Sequence, residues 1–258
     1  MAFIERDGVK LCYDEAGPGG DAAPLVLVHG WTCCQGHMAP QFSHFGRTRR
    51  VVSLDLRGHG ASDVTGPFTI ETFADDVAWL CGALQLQRPL VVGHSMGGMI
   101  AVQVAASHPD VLRAAVALDS PFAPAGSFAD ALAPFIAALE RPDHVAARRS
   151  FLKVMFGPHD DPVRAAEVTE QMLATPVEVA AEAETSIVGW DGEAALRSCT
   201  LPVLTVHANA SAVTDTGRLA ADCPHLTTGQ TVGAGHFIQL EVPDQVNAMI
   251  ERFLRIVG

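Results

Sequence analysis

The sequence predicts an α/β protein, a mostly parallel doubly wound sheet interrupted by an inserted helical cap. Three observations point there. Short, almost wholly apolar runs recur along the chain, the stretches between them carry helical spacing, and this alternation stops between positions 121 and 200 before it resumes. A strand covered on both faces has no solvent side to alternate with, so it reads as a continuous apolar run. Parallel neighbours need crossover connections, which helices supply.

In chain order, the runs expected as strands are Leu25 to His29 in "PLVLVHG", Val51 to Leu54 in "RRVVSLDLRGHG", Leu90 to Val92, Ala114 to Leu118, Val203 to Val206, and a last one near Thr228 to Val232. "IETFADDVAWLCGAL" sets Phe73, Val77, Leu80, Cys81 and Leu84 on one helical face and leaves Asp75 and Asp76 to solvent. "MGGMIAVQVAAS" continues as helix directly after Ser95, and "PDQVNAMIERFLRIVG" closes the chain. The segment 121–200 is rich in Ala, Glu, Asp and Pro and reads as short helices broken at Pro142, Pro158, Pro162 and Pro176. It is too long for a loop in a compact domain. The expected organisation is a core of residues 1–120 and 201–258 with a helical cap at 121–200.

A net charge of −12 repels phosphate backbones and anionic lipid, so neither nucleic acid nor a membrane surface is an expected partner. "MAFIERDGVKLCYDE" has no basic stretch leading into an apolar region, and no apolar run reaches the roughly 18 residues of a span. The six cysteines show no metal-ligand spacing and suit a reducing compartment. The expectation is a cytoplasmic protein with no metal. Nothing in the chain bears on its oligomeric state.

The chemistry is carried by "VVGHSMGGMI". A G-x-S-x-G stretch between a buried strand and a helix makes a tight bend that lifts its serine out of the sheet and aims the helix's positive end at the same point. Gly93-His94-Ser95-Met96-Gly97 sits in that context, which makes Ser95 the candidate nucleophile. A serine hydroxyl needs a base, and the base needs an orienting acid. Of eleven histidines, His236 in "VGAGHFIQLEVPDQV" lies in a glycine-flanked loop after the last strand, from which it can reach the sheet's carboxyl edge. His94 is expected to shape the bend and border the pocket, and His29 to brace its own loop. The backbone N–H groups of Met96 and of Trp31 in "HGWTCC" are the expected oxyanion donors. In "DLRGHGASD", Asp55, Arg57 and His59 are expected to tie down a loop.

The combination of "HGW", "DLRGHGASD", "GHSMGG" and "GAGHF" resembles the α/β-hydrolase fold family, in its usual order and over nearly the whole chain. The resemblance implies the fold more narrowly than the reaction, since the fold hosts esterases, lactonases, C–C bond hydrolases and cofactor-free oxygenases. A serine at the bend speaks against the dehalogenases and epoxide hydrolases, which use aspartate there. Most relatives place the acid after the strand that follows the cap. Here that stretch reads "VLTVHANASAVTDTGRL", with Asp215 several residues late, whereas "AAVALDSPF" puts Asp119 directly after the strand preceding the cap, at the same edge as Ser95. Asp119 is the expected acid and Asp215 the alternative.

The expected activity is hydrolysis of a carboxylic ester, lactone or related acyl bond of a small hydrophobic substrate, with no cofactor. Phe122, Phe128, Phe135, Phe151, Phe156 and Trp190 are apolar candidates for the cap's side of the pocket, and of these Phe122 and Trp190 are the ones expected to line it. Two alternatives differ in class. Cofactor-independent ring-cleaving dioxygenases of the 3-hydroxy-4-quinolone type share the tryptophan and the early acid, but the histidine they carry two residues beyond the tryptophan is Cys33 here. A slow-turnover small-molecule receptor is the other.

Overall fold

The computed structural model describes residues 1–123, 126, 129–208 and 216–258. A hairpin opens the chain, β1 (Ala2–Arg6) antiparallel to β2 (Val9–Ala16), turned by Asp7 and Gly8 at φ 51° and 83°. An Asp-Gly pair with both residues at positive φ is the turn that matches the twist of a two-strand ribbon. The expected strands did not include this pair, although its turn signal stands in the sequence. Next come β3 (Leu25–Val28), α1 (Ala39–Phe45), β4 (Val51–Leu54), α2 (Ile70–Ala83), β5 (Leu90–His94), α3 (Met96–Ser107) and β6 (Ala114–Leu118). Five helices follow without an intervening strand among the described residues: α4 (Ala129–Leu139), α5 (His144–Lys153), α6 (Pro162–Leu173), α7 (Val177–Gly189) and α8 (Gly192–Ser198). The chain ends through β7 (Val203–His207), α9 (Thr216–Asp222), β8 (Leu226–Gln230), α10 (Ile238–Glu241) and α11 (Pro243–Val257).

The strands form one sheet in the order β1-β2-β4-β3-β5-β6-β7-β8, parallel from β4 onward. Every residue of β3, β4, β5 and β6 is buried, as their unbroken apolar runs require. One apolar layer holds α2 and α3 with part of the helical insertion, and the opposite layer holds α1 and α11. No helix among the described residues is long and apolar enough to cross a membrane.

Three expectations need correction. The last strand lies two residues earlier than the sequence suggested, because its register pairs Leu226 with Val203 and leaves Thr227 and Thr228 exposed at the sheet's edge. Pro162 opens α6 instead of breaking a helix: it sits in the first turn, where its missing N–H costs nothing, and Asp161 caps the amide of Val163. Asp76 is fully buried, not solvated, and takes both arms of the Arg57 guanidinium at 2.6 and 2.8 Å with Arg6 beside it. Helix α2 thus buries a charge on the edge of its apolar face because that edge meets the "DLRGHG" loop, while Asp75 stays exposed beside His108.

Candidate active site

Strand β5 runs into α3 through Ser95, which sits at φ 53°, ψ −119°. That conformation costs on the order of 1–3 kcal/mol in a non-glycine residue and persists only where neighbours enforce it. The neighbours are backbone. A Cβ on Gly93 would stand 2.0 Å from the Gly97 carbonyl oxygen, and one on Gly97 would stand 2.3 Å from the carbonyl oxygen of Val28. Both glycines are required because strand β3, the bend and α3 approach one another without room for a side chain.

Asp119 follows β6 immediately, also at positive φ (47°). Its backbone N–H donates to the Val206 carbonyl, and its Oδ1 accepts from the amide of Ala208, so β7 and the residue that follows it hold both ends of the residue. His236 donates from Nδ1 to Asp119 Oδ2 at 2.7 Å. Burial alone would raise the Asp119 pKa, but the His236 hydrogen bond and charge, with the Ala208 amide, outweigh it and hold the carboxyl below its ordinary value. Asp119 is therefore an anion at neutral pH, able to fix the imidazole tautomer with Nε2 facing away. Asp215 and Phe128 lie outside the described residues.

Two contacts hold the His236 loop. The backbone N–H of His236 donates to Met155, just beyond α5, and His94 donates from Nε2 to the His236 carbonyl at 2.9 Å. His94 is fully buried, and burial pushes its pKa down to about 3, so it acts as a neutral donor. The expectation that His94 borders the pocket holds only for a small void that it lines with Trp31, Ser95 and His236; it is absent from the lining of the larger cavity, and its ring lies 4.7 Å from that of His236 between centroids. His29 braces its loop as expected, donating from Nδ1 to Gly30 and accepting the Leu56 amide at Nε2.

Ser95, Asp119 and His236 all line one cavity of about 410 Å³. No hydrogen bond joins the Ser95 hydroxyl to the imidazole; such contacts commonly tighten only when substrate enters. Among the described residues the backbone N–H groups of Trp31 and Met96 have no protein acceptor, and both belong to segments that meet at Ser95. The Trp31 indole forms a wall of the cavity and donates to the Ala180 carbonyl of α7. From the helical insertion come Ala131 and Leu132 of α4, Phe151 of α5, Met155, and Glu184 and Ile187 of α7.

Phe122 and Trp190, both expected in the pocket, are not part of its lining. They pack on each other, and the Trp190 indole donates to Gln103 of α3, which fastens the base of the insertion to the sheet's helical layer. Conversely, Glu184 and His207 line the cavity and were not anticipated. His207 could have been found from the sequence, since it ends the strand after the insertion, at the edge where the acid was sought. Nothing local separates Glu184 from the other glutamates of α7. No group of three His, Cys, Asp or Glu among the described residues is placed to hold a metal ion.

The sequence model of the α/β-hydrolase fold matches residues 23–243. Lipase LipV of Mycobacterium tuberculosis is 32% identical over 169 residues, covering 65% of this chain and 64% of that protein. The sn-1-specific diacylglycerol lipase ABHD11 of Danio rerio is 34% identical over 113 residues, 43% of this chain and 36% of its own length. The chain thus aligns with less than two thirds of the length of these curated relatives. Among solved structures, the enol-lactonase of Burkholderia xenovorans LB400 superposes with a TM-score of 0.87 at 25% identity, covering 98% of this chain and 100% of that one.

Proposed function

This chain belongs to the α/β-hydrolase fold family, and from that premise we propose that it is a serine hydrolase cleaving a carboxylic ester or lactone of a small, mainly apolar substrate through an acyl-enzyme intermediate. The observation that carries the reading is the convergence of a strained serine and a carboxylate-bound imidazole on one cavity. Ser95 Oγ attacks the carbonyl carbon while His236 Nε2 takes its proton; the tetrahedral oxyanion is met by the amides of Trp31 and Met96. The carbonyl then re-forms, the C–O bond to the leaving alkoxide breaks, and His236 returns the proton to that oxygen. Water repeats the sequence on the acyl-serine, and Asp119 holds the imidazole throughout. No step calls for a metal or organic cofactor.

The lipase and lactonase relatives support this class over the ring-cleaving dioxygenase alternative. So does Cys33, a buried thiol whose pKa burial raises, at the position where those oxygenases resemble one another in carrying a histidine. Residues 121–200 serve as the cap in this reading, and the cytoplasm is its compartment, which suits six unpaired cysteines.

A fluorophosphonate probe should label the wild-type protein and leave Ser95→Ala unlabelled, with hydrolysis of a short p-nitrophenyl ester lost in the same variant. Equal labelling of both proteins would remove Ser95 from this role, and oxygen uptake with a 3-hydroxy-4-quinolone would install the dioxygenase reading instead.

A further inference from the structure

Glu184 stands on α7 with its carboxyl in the wall of the cavity that Ser95 and His236 also line. It is 4% exposed, and among the described residues it has neither a hydrogen-bond donor nor an ion-pair partner. Burial penalises the ionised form of this carboxyl, and no donor of the protein offsets that penalty. A packing role does not explain it: alanine or valine would fill a helix position without that cost. The other side chains that α4, α5 and α7 give to the cavity lining are apolar, among them Leu132, Phe151 and Ile187. The titratable groups lining the cavity are Asp119, Glu184, His207 and His236, with no lysine or arginine among them.

That charge distribution decides the sign of what fits. An anionic substrate would meet two carboxyls and no fixed cation. Asp119 is already paired with His236, so Glu184 is the acceptor left over. A cation entering the cavity supplies the missing partner, and a charge-assisted hydrogen bond in a water-poor site is about twice as strong as a neutral one. We propose that Glu184 is the specificity-determining residue of this cavity and that it takes a protonated amine carried by the substrate, so that the natural substrate is an amino-bearing ester or lactone. The proposal rests on the serine-hydrolase reading for the bond that is cleaved, but the amine site is independent of it. Burial raises the Glu184 pKa to about 7, and an ammonium group beside it would favour the ionised carboxylate again.

Two p-nitrophenyl esters of equal size, 6-aminohexanoate and heptanoate, differ only in NH3+ against CH3. Wild-type kcat/KM should favour the amino ester by at least about 10-fold, the factor expected of one charge-assisted hydrogen bond, and Glu184→Gln should bring the ratio close to one. A second measurement needs no turnover. Calorimetry with Ser95→Ala should show n-hexylammonium binding at least about 10-fold more tightly than 1-hexanol, a preference absent from Ser95→Ala/Glu184→Gln. If the heptanoate ester is hydrolysed with a ratio that Glu184→Gln does not change, or if hexanol binds as well as the ammonium, the amine site is wrong and the hydrolase reading stands. If neither ester is cleaved while the ammonium preference persists and depends on Glu184, the hydrolase reading fails and the amine site stands.

Discussion

Helix α3 buries every residue from Met96 to Val102, whereas Leu139 is the one buried side chain described for α4. Ala131 and Leu132 of α4 line the cavity, and α3 starts directly after Ser95, which lines it too. On the α3 side, position is enforced by backbone against backbone: glycines at 93 and 97 allow main-chain contacts that no other residue would permit, and Asp119 is held by the Ala208 amide and the Val206 carbonyl. On the insertion side, position comes from apolar side chains such as Phe135 stacked on Phe151 at 4.1 Å, and from a few anchors such as Trp190 on Gln103. Reaction geometry tolerates errors well under an ångström, while recognition of an apolar body tolerates more. Under the proposed function, the chemistry lies on the rigid side, where backbone sets position, and selection on the more adaptable side, where side chains do.

The strongest way to break this comparison is to remove the imidazole. His236→Ala should lower kcat by up to about 10⁶-fold, nearly as much as Ser95→Ala, and the double variant should be no slower than either, since the two groups act as one unit. Steady-state rates with a p-nitrophenyl ester check this; additive losses would mean that the groups do not share a step.

Asp119→Asn comes next, with a fall in kcat of up to about 10⁴-fold from the wrong tautomer of His236 and little change in denaturation midpoint, because an amide oxygen can still accept the Ala208 N–H. Asp215→Asn should leave kcat within about 2-fold of wild type, because Asp119 already takes the His236 Nδ1 hydrogen bond that sets the tautomer. The opposite pattern would move the acid to position 215.

Gly97→Ala sharpens the contrast in stability. A methyl placed 2.3 Å from the Val28 carbonyl oxygen should cost about 3 kcal/mol or more in urea denaturation. Ala137→Gly, at an exposed position of α4, should cost about 1 kcal/mol. Similar losses in the two would erase the distinction between the rigid and adaptable sides.

The effect at Glu184 depends on pH and has a definite sign. Its folded pKa of about 7 lies above the roughly 4.3 of an unfolded glutamate, so the folded state keeps a proton that the unfolded state releases in between. Stability contributed by this residue therefore falls as pH rises across that window, and the full cost stands above it. Glu184→Gln should match wild type near pH 4 and exceed it by up to about 3 kcal/mol at pH 8, read by urea denaturation at both values. A constant difference at the two pH values would mean that the carboxyl is not desolvated as described.

The sequence by itself determined the α/β alternation from β3 onward, the strand–serine–helix bend, and the convergence of Ser95, His236 and Asp119 on one sheet edge. These are consequences of short-range chemistry: apolar runs set which segments are buried, glycines mark where backbones must touch, and a residue that directly follows a parallel strand emerges at the carboxyl edge whatever the rest of the chain does. Asp76, His94, Phe122, Trp190 and Glu184 escaped that logic. The partner that decides the role of such a residue lies far away in the chain: Arg57 for Asp76, the His236 loop for His94, Gln103 for Trp190, and for Glu184 the cavity lined by α4, α5 and the sheet edge. Helical spacing tells which residues share a face, not what that face meets, and only the packing of segments remote in sequence decides whether a carboxyl ends in water, against a guanidinium, or in the wall of a cavity.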